Sequence, residues 1–206
     1  MFIIGITGGT GAGKTAALRA LKSLGALTLN CDAIYHGLLS VNVELKMELE
    51  TRFTGVLTDG VIDRERLGEI VFSDPSALME LNAITHKYVE KEITRKIADW
   101  SERGGEIAAI DAIALIESGV AKKCNVVVGI IAPVETRISR IMKRDRLTRE
   151  QAEMRIKAQK PDSFFEENCD YILESDTGRP AEFEKKYKDF FTKLLHEQGG
   201  GISNAG

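Results

Sequence analysis

A chain of 206 residues, 43% hydrophobic and 29% charged, is long enough for one α/β domain with insertions and has the composition of an ordinary globular protein. Its net charge of −3 argues against wholesale nucleic-acid binding, and no apolar run reaches the roughly 18 residues that a membrane helix needs. The three cysteines (Cys31, Cys124, Cys169) are odd in number and widely spaced, so they read as reduced thiols and not as a disulfide frame or zinc site.

The chain opens on the apolar run Phe2–Ile6, a strand, followed by Gly8-Gly9-Thr10-Gly11-Ala12-Gly13-Lys14-Thr15. This is G-x-x-x-x-G-K-T in its required context, a strand feeding a Gly-rich turn and then a helix. Glycines let the backbone wrap a phosphate so that successive N–H groups form an anion nest, and the helix that starts near Lys14 points its positive end at the same place. Lys14 supplies a mobile charge for the β- and γ-phosphates, while the Thr15 hydroxyl suits Mg²⁺. The alternative is a Gly-rich structural turn. The strand before it and the helix after it favour a nucleoside triphosphate site built from Gly9, Gly11, Ala12, Gly13, Lys14, Thr15 and Ala16.

Ala17, Leu18, Leu21 and Leu24 continue the helix, which stops at Gly25, and Ala26–Asn30 follows as a short buried strand. Asp32 lies just past that strand, where open α/β sheets place ligands. It reads either as the N-cap of a short helix over Ala33–Leu39 or as a general base for an acceptor hydroxyl. Residues 40–104 are expected to be almost wholly helical, with Asn42, Asp63 and Asp74-Pro75 opening helices and a turn at Asp59-Gly60. So much helix between the second and third strands marks an inserted subdomain.

Ile107–Ile110 and Val126–Ile131 are continuous apolar runs, the pattern of parallel strands covered on both faces, and Asp111 closes the first at the ligand side of the sheet. Pro133 starts a helix, Thr148-Arg149-Glu150-Gln151 is a capping box for another through Gln159, and Pro161 breaks it. Tyr171–Leu173 makes a fifth strand, a terminal helix carries Phe183, Tyr187 and Phe190, and residues 199–206 read as a flexible tail. The sum is an α/β P-loop NTPase fold: a five-stranded parallel sheet flanked by helices, with a helical insertion and a helical lid.

The lid is the basic stretch 137–160, which holds nine Lys/Arg against three acids. A solvated helix face is the bland explanation of such a run; beside a phosphate-binding loop it suits a polyphosphate partner. Neither N-K-x-D nor D-x-x-G occurs, which excludes the GTPase switches, and the chain is too short for the ring or tandem motors. A small phosphotransferase remains, with an Arg-rich segment that closes over the transferred group and excludes water. A nucleotide-dependent regulatory protein with no acceptor stays open beside it.

From Ile3 to about Leu173 the chain resembles the dephospho-coenzyme A kinases. The start I-x-G-I-T-G-G-x-G-A-G-K-T is similar to that family's I-G-L-T-G-G-I-G-S-G-K-S/T, and Leu24-Gly25…Asn30-Cys31-Asp32 to its L-G…D-A-D. Leu81-Asn82-Ala83-Ile84-Thr85-His86 resembles L-E-x-I-x-H, and Leu115-Ile116-Glu117-Ser118-Gly119 resembles L-F-E-x-G. Arg140-x₃-Arg144-Asp145, with Arg155 and Gln159 further on, follows the family's lid signature. Departures are Ala16 for a second hydroxyl, Asn30 for the first acid of D-A-D, Lys87 for proline, and Ile113-Ala114 for P-L.

The resemblance implies transfer of the ATP γ-phosphoryl group to the ribose 3′-hydroxyl of dephospho-coenzyme A, with ATP and Mg²⁺ as cofactors. It implies Asp32 as catalytic base, Lys14 and Arg140 on the phosphates, and Arg144 and Arg155 as lid contacts to ATP. His86 and Glu117 are implied near the acceptor. The implied division is a core of 1–39, 105–136 and 166–198, an acceptor subdomain of 40–104, and a lid of 137–165. The expected setting is the cytoplasm, as a monomer or weak oligomer without nucleic-acid or membrane partners. Another small-molecule P-loop kinase, of the nucleoside monophosphate or shikimate type, is the alternative.

Overall fold

In the computed structural model, which describes residues 1–175 and 180–198, two units follow different plans: Met1–Leu29 with the chain from Trp100 onward, and Asn30–Asp99. The expected tail 199–206 lies outside the described residues.

In the first unit the apolar runs become strands β1 (Phe2–Thr7), β2 (Leu27–Asn30), β5 (Ile107–Asp111), β6 (Val126–Ile131) and β7 (Tyr171–Glu174). They form a parallel sheet in the order β2-β5-β1-β6-β7. Central β1 runs beside β5 (Phe2↔Ile107 to Ile6↔Asp111) and beside β6 (Ile4↔Val126 to Thr7↔Gly129). All five residues of β5 are buried, as expected of a parallel strand covered on both faces.

Helix α1 (Lys14–Ser23) buries Ala17, Ala20 and Leu21 against Ile4, Ile6, Val128 and Ile130. The terminal helix, Pro180–Glu197, adds Tyr187, Phe191, Leu194 and Leu195 to the same core. Helix α1 ends in a Schellman motif: Gly25 N–H donates to the Lys22 carbonyl (3.1 Å) and Ala26 N–H to that of Leu21 (3.0 Å). Gly25 takes φ +83°, which explains why the helix stops there.

The basic segment holds helices α6 (Val134–Asp145) and α7 (Arg149–Lys157), and α8 (Asp162–Asn168) follows it. The capping box at Thr148 is present, with Gln151 N–H donating to Thr148 Oγ1 (3.3 Å) and Thr148 N–H to Gln151 Oε1 (2.9 Å). Helix α8, which has no counterpart among the expected elements, follows Pro161 and buries Phe165.

In the second unit, helices α2 (Cys31–Val41), α3 (Val43–Arg52), α4 (Arg64–Ser73) and α5 (Pro75–Glu102) enclose a core of Leu45, Leu49, Phe53, Leu67, Val71 and Leu81. The caps at Asn42, Asp63 and Asp74 are in place, each side chain accepting from a backbone N–H at 2.7 to 3.0 Å. Two expectations are corrected. Asp32 does not cap its helix: Asn30 does, accepting from Ala33 N–H at 2.7 Å, and α2 starts two residues earlier than expected. The segment, expected to be almost wholly helical with a turn at Asp59-Gly60, also carries a short strand pair about that turn. Strands β3 (Leu57–Thr58) and β4 (Val61–Ile62) pair as an antiparallel hairpin across Asp59-Gly60. Both turn residues have positive φ (49° and 76°), which a two-residue hairpin turn of this hand requires and Asp-Gly tolerates.

Candidate active site

The phosphate loop leaves β1 at Thr7, a fully buried residue whose Oγ1 donates to the Ile113 carbonyl at 3.1 Å, fixing the strand end to the segment after β5. Gly11 and Gly13 take φ of +80° and +106°, a conformation that would strain any side chain. Helix α1 then begins with no side-chain cap and no acidic residue in its first turn. Its positive end is therefore not neutralised by its own sequence, which is the electrostatic condition for holding an anion.

The Lys14 ammonium folds back along the loop, donating to the Gly8 carbonyl at 2.6 Å and to that of Gly9 at 3.4 Å. Thr15 is exposed in the first turn of α1, Ala12 is buried, and the Ala16 methyl packs against the sheet core, where a second hydroxyl would bring a polar group into apolar contact. From α6, Arg140 Nη1 donates to the carbonyls of Gly11 (3.1 Å) and Ala12 (3.3 Å), and its guanidinium carbon lies 5.8 Å from the Phe183 ring centre. Lys14, Arg140 and the loop are thus one cluster.

Arg137, one turn before Arg140 on the same face of α6, also reaches the loop. Its side chain is only 3% exposed, and burial disfavours its charged form against the opposing pull of Asp162. In the sequence it is one of nine basic residues in 137–160. Its spacing of three from Arg140 was the available signal.

Arg144 and Arg155, the arginines expected to contact ATP, bond away from the loop. Arg144 Nε (2.7 Å) and Arg155 Nη1 (2.6 Å) both bind the Asp145 carboxylate, and Arg144 holds that carboxyl below its usual range. Arg149 pairs with Glu135 and Glu153. So the five arginines Arg137, Arg140, Arg144, Arg149 and Arg155 divide into a buried residue, a loop contact and surface pairs worth little individually.

Glu117 is exposed in the turn that follows β5. In the other unit, Asp32 is exposed in the first turn of α2, two residues beyond the end of β2. His86 is half-buried on α5, and burial lowers its affinity for a proton, which favours the neutral imidazole. Lys87, the residue in place of proline, pairs with Glu48 at 2.9 Å. Glu48 also accepts from the Tyr88 hydroxyl at 2.6 Å, a bond that pushes the Tyr88 phenol up to about 12. Among the described residues no group of three His, Cys, Asp or Glu side chains is arranged to hold a metal, and no helix is long and apolar enough to cross a membrane.

Comparison with known proteins gives one consistent result. Residues 2–180 match the family model for dephospho-CoA kinase. A dephospho-CoA kinase of Lactobacillus acidophilus is 33% identical over 200 residues, spanning 95% of this chain and 98% of its own. Another, from Dehalococcoides mccartyi, is 39% identical over 169 residues, 79% of this chain and 83% of its own. The solved structure of dephospho-CoA kinase from Campylobacter jejuni superposes with a TM-score of 0.69 at 25% identity, covering 95% of this chain and 98% of that one. Because residues 2–180 match the family model and relatives at 33% and 39% identity share most of their length with it, the protein belongs to the dephospho-CoA kinase family.

Proposed function

We propose that this protein transfers the γ-phosphoryl group of ATP to the ribose 3′-hydroxyl of dephospho-coenzyme A, giving coenzyme A and ADP. The observation that carries this reading is the convergence of Lys14 and Arg140 on the carbonyls of a glycine loop in a chain of this family. Phosphoryl transfer needs little covalent help from a protein, so positioned positive charge supplies most of the catalysis. The loop residues Gly9, Gly11, Ala12, Gly13, Lys14, Thr15 and Ala16 bind the phosphates, Lys14 moves from its loop carbonyls onto the β- and γ-oxygens, and Arg140 holds the loop beneath them. Asp32 accepts the 3′-hydroxyl proton as that oxygen attacks the γ-phosphorus and the bond to the β,γ-bridging oxygen breaks.

Residues 40–104, with His86, are the acceptor subdomain, and Glu117 is a further acceptor-binding residue. The core 1–39, 105–136 and 166–198 binds the nucleotide. The lid, 137–165, brings Arg144 and Arg155 from Asp145 to the phosphates when it closes.

The exposed Thr15 hydroxyl, with no ready-made carboxylate cage among the described residues, fits Mg²⁺ that is carried in by nucleotide phosphates and keeps several waters. Thr15 holds the ion, which neutralises phosphate charge when bound. Three cysteines without a disulfide among them suit a reducing compartment such as the cytoplasm.

An acceptor panel tests the assignment. Offered dephospho-coenzyme A, a nucleoside monophosphate and shikimate with Mg²⁺ and ATP, the protein is expected to turn over the first at least about a hundredfold faster in kcat/KM, about 2.7 kcal/mol of discrimination. Preferential phosphorylation of either other acceptor overturns the assignment.

A further inference from the structure

Thr10, in the phosphate loop, is held at every polar group by side chains 127 and 149 positions further along the chain. Its N–H donates to Gln159 Oε1 at 2.8 Å, its hydroxyl accepts from Gln159 Nε2 at 2.5 Å, and its carbonyl accepts from Arg137 Nε at 3.0 Å. The two clamp residues bond each other through Arg137 Nη2 and Gln159 Oε1 at 3.1 Å, and Arg137 Nη1 reaches Asp162 at 3.3 Å. Arg137 belongs to α6, Gln159 follows α7 by two residues, and Asp162 opens α8. Arg137 of α6 and Gln159, just past α7, therefore meet at one loop residue, and Asp162 of α8 braces the Arg137 guanidinium. The clamp also explains Gly9: a side chain there would overlap the Arg137 guanidinium and meet Gln159 Oε1 at 3.1 Å.

A glycine-rich loop loses more backbone freedom on ordering than any other sequence, and that loss weakens ligand binding unless the loop is ordered beforehand. We propose that Arg137 and Gln159 are positioning residues that preset the phosphate loop for nucleotide and tie it to the C-terminal end of lid helix α7. The proposal rests on the reading that Gly8–Thr15 binds the ATP phosphates.

Gln159 is the residue to change, because Arg137 is buried and its loss threatens folding. Gln159→Ala is expected to weaken ADP binding in calorimetry, and to raise the KM for ATP, about tenfold, with the KM for dephospho-coenzyme A within about twofold. Gln159→Glu keeps acceptors for the Thr10 N–H and for Arg137, and the Thr10 hydroxyl can turn to donate, so nucleotide affinity should return to within about threefold of the parent. Thr10→Val combined with Gln159→Ala should bind ADP no worse than Gln159→Ala alone, since the two residues act as one unit.

Unchanged ADP affinity in Gln159→Ala, no recovery in Gln159→Glu, or a parallel loss for both substrates with a lowered melting temperature each overturns the clamp. ADP binding needs no acceptor, so an error in the acceptor assignment leaves this test intact. A parent protein that fails to bind ADP overturns the loop reading itself.

Discussion

Lys14→Ala is expected to lower kcat/KM by roughly 10³- to 10⁴-fold, about 4–5.5 kcal/mol of transition-state stabilisation. The size follows from the chemistry and from the site. Charge builds on the γ-oxygens as the phosphoryl group leaves, and the half-buried Lys14 ammonium is the cation placed in the loop itself, 2.6 Å from the Gly8 carbonyl. Arg140 does not replace it, because its Nη1 is engaged with the Gly11 and Ala12 carbonyls. Lys14→Arg should restore little, since a planar fork cannot take the place of a compact, rotating ammonium on a four-carbon stem. Steady-state kinetics with the melting temperature measured alongside checks this. Activity within tenfold of the parent would remove Lys14 from the transition state.

The second large effect is expected at Asp32. Asp32→Asn preserves shape and removes the proton acceptor, so kcat should fall about 10²- to 10⁴-fold with the KM for ATP close to unchanged. The substitution is structurally mild. Asp32 is exposed, the cap of α2 belongs to Asn30, and the change loses only about 0.3–1 kcal/mol of carboxylate interaction with the helix N-terminus. An equal loss of ATP affinity would instead assign Asp32 to the nucleotide or its metal.

What the sequence disclosed depended on how local each signal was. The phosphate loop is legible because its glycines, Lys14 and Thr15 are contiguous, and the caps at Asn42, Asp63, Asp74 and Thr148 because each bonds within three residues. The hairpin at 57–62 was missed since two-residue strands leave no periodicity, although Asp59-Gly60 marked its turn. Asp32 was read as a possible cap because Asn30, which carries that bond, stood in the last position assigned to the strand.

The basic segment 137–160 is legible as a charge excess but not as an arrangement. Composition cannot tell that Asp145 gathers Arg144 and Arg155, or that Arg137 is buried against Thr10 across 127 positions of sequence. Those contacts exist only once α6 packs beside the loop. The acceptor's identity was legible by resemblance alone, and the family match over residues 2–180 now supports it.

Phosphorus NMR of the product formed by the purified protein from ATP, Mg²⁺ and dephospho-coenzyme A is the most direct test of the phosphoryl transfer itself. A new phosphomonoester resonance coupled to the ribose H3′ proton, growing in step with ADP, is the expected result. ADP and inorganic phosphate with no new monoester, or a phosphate coupled to another ribose position, would contradict it.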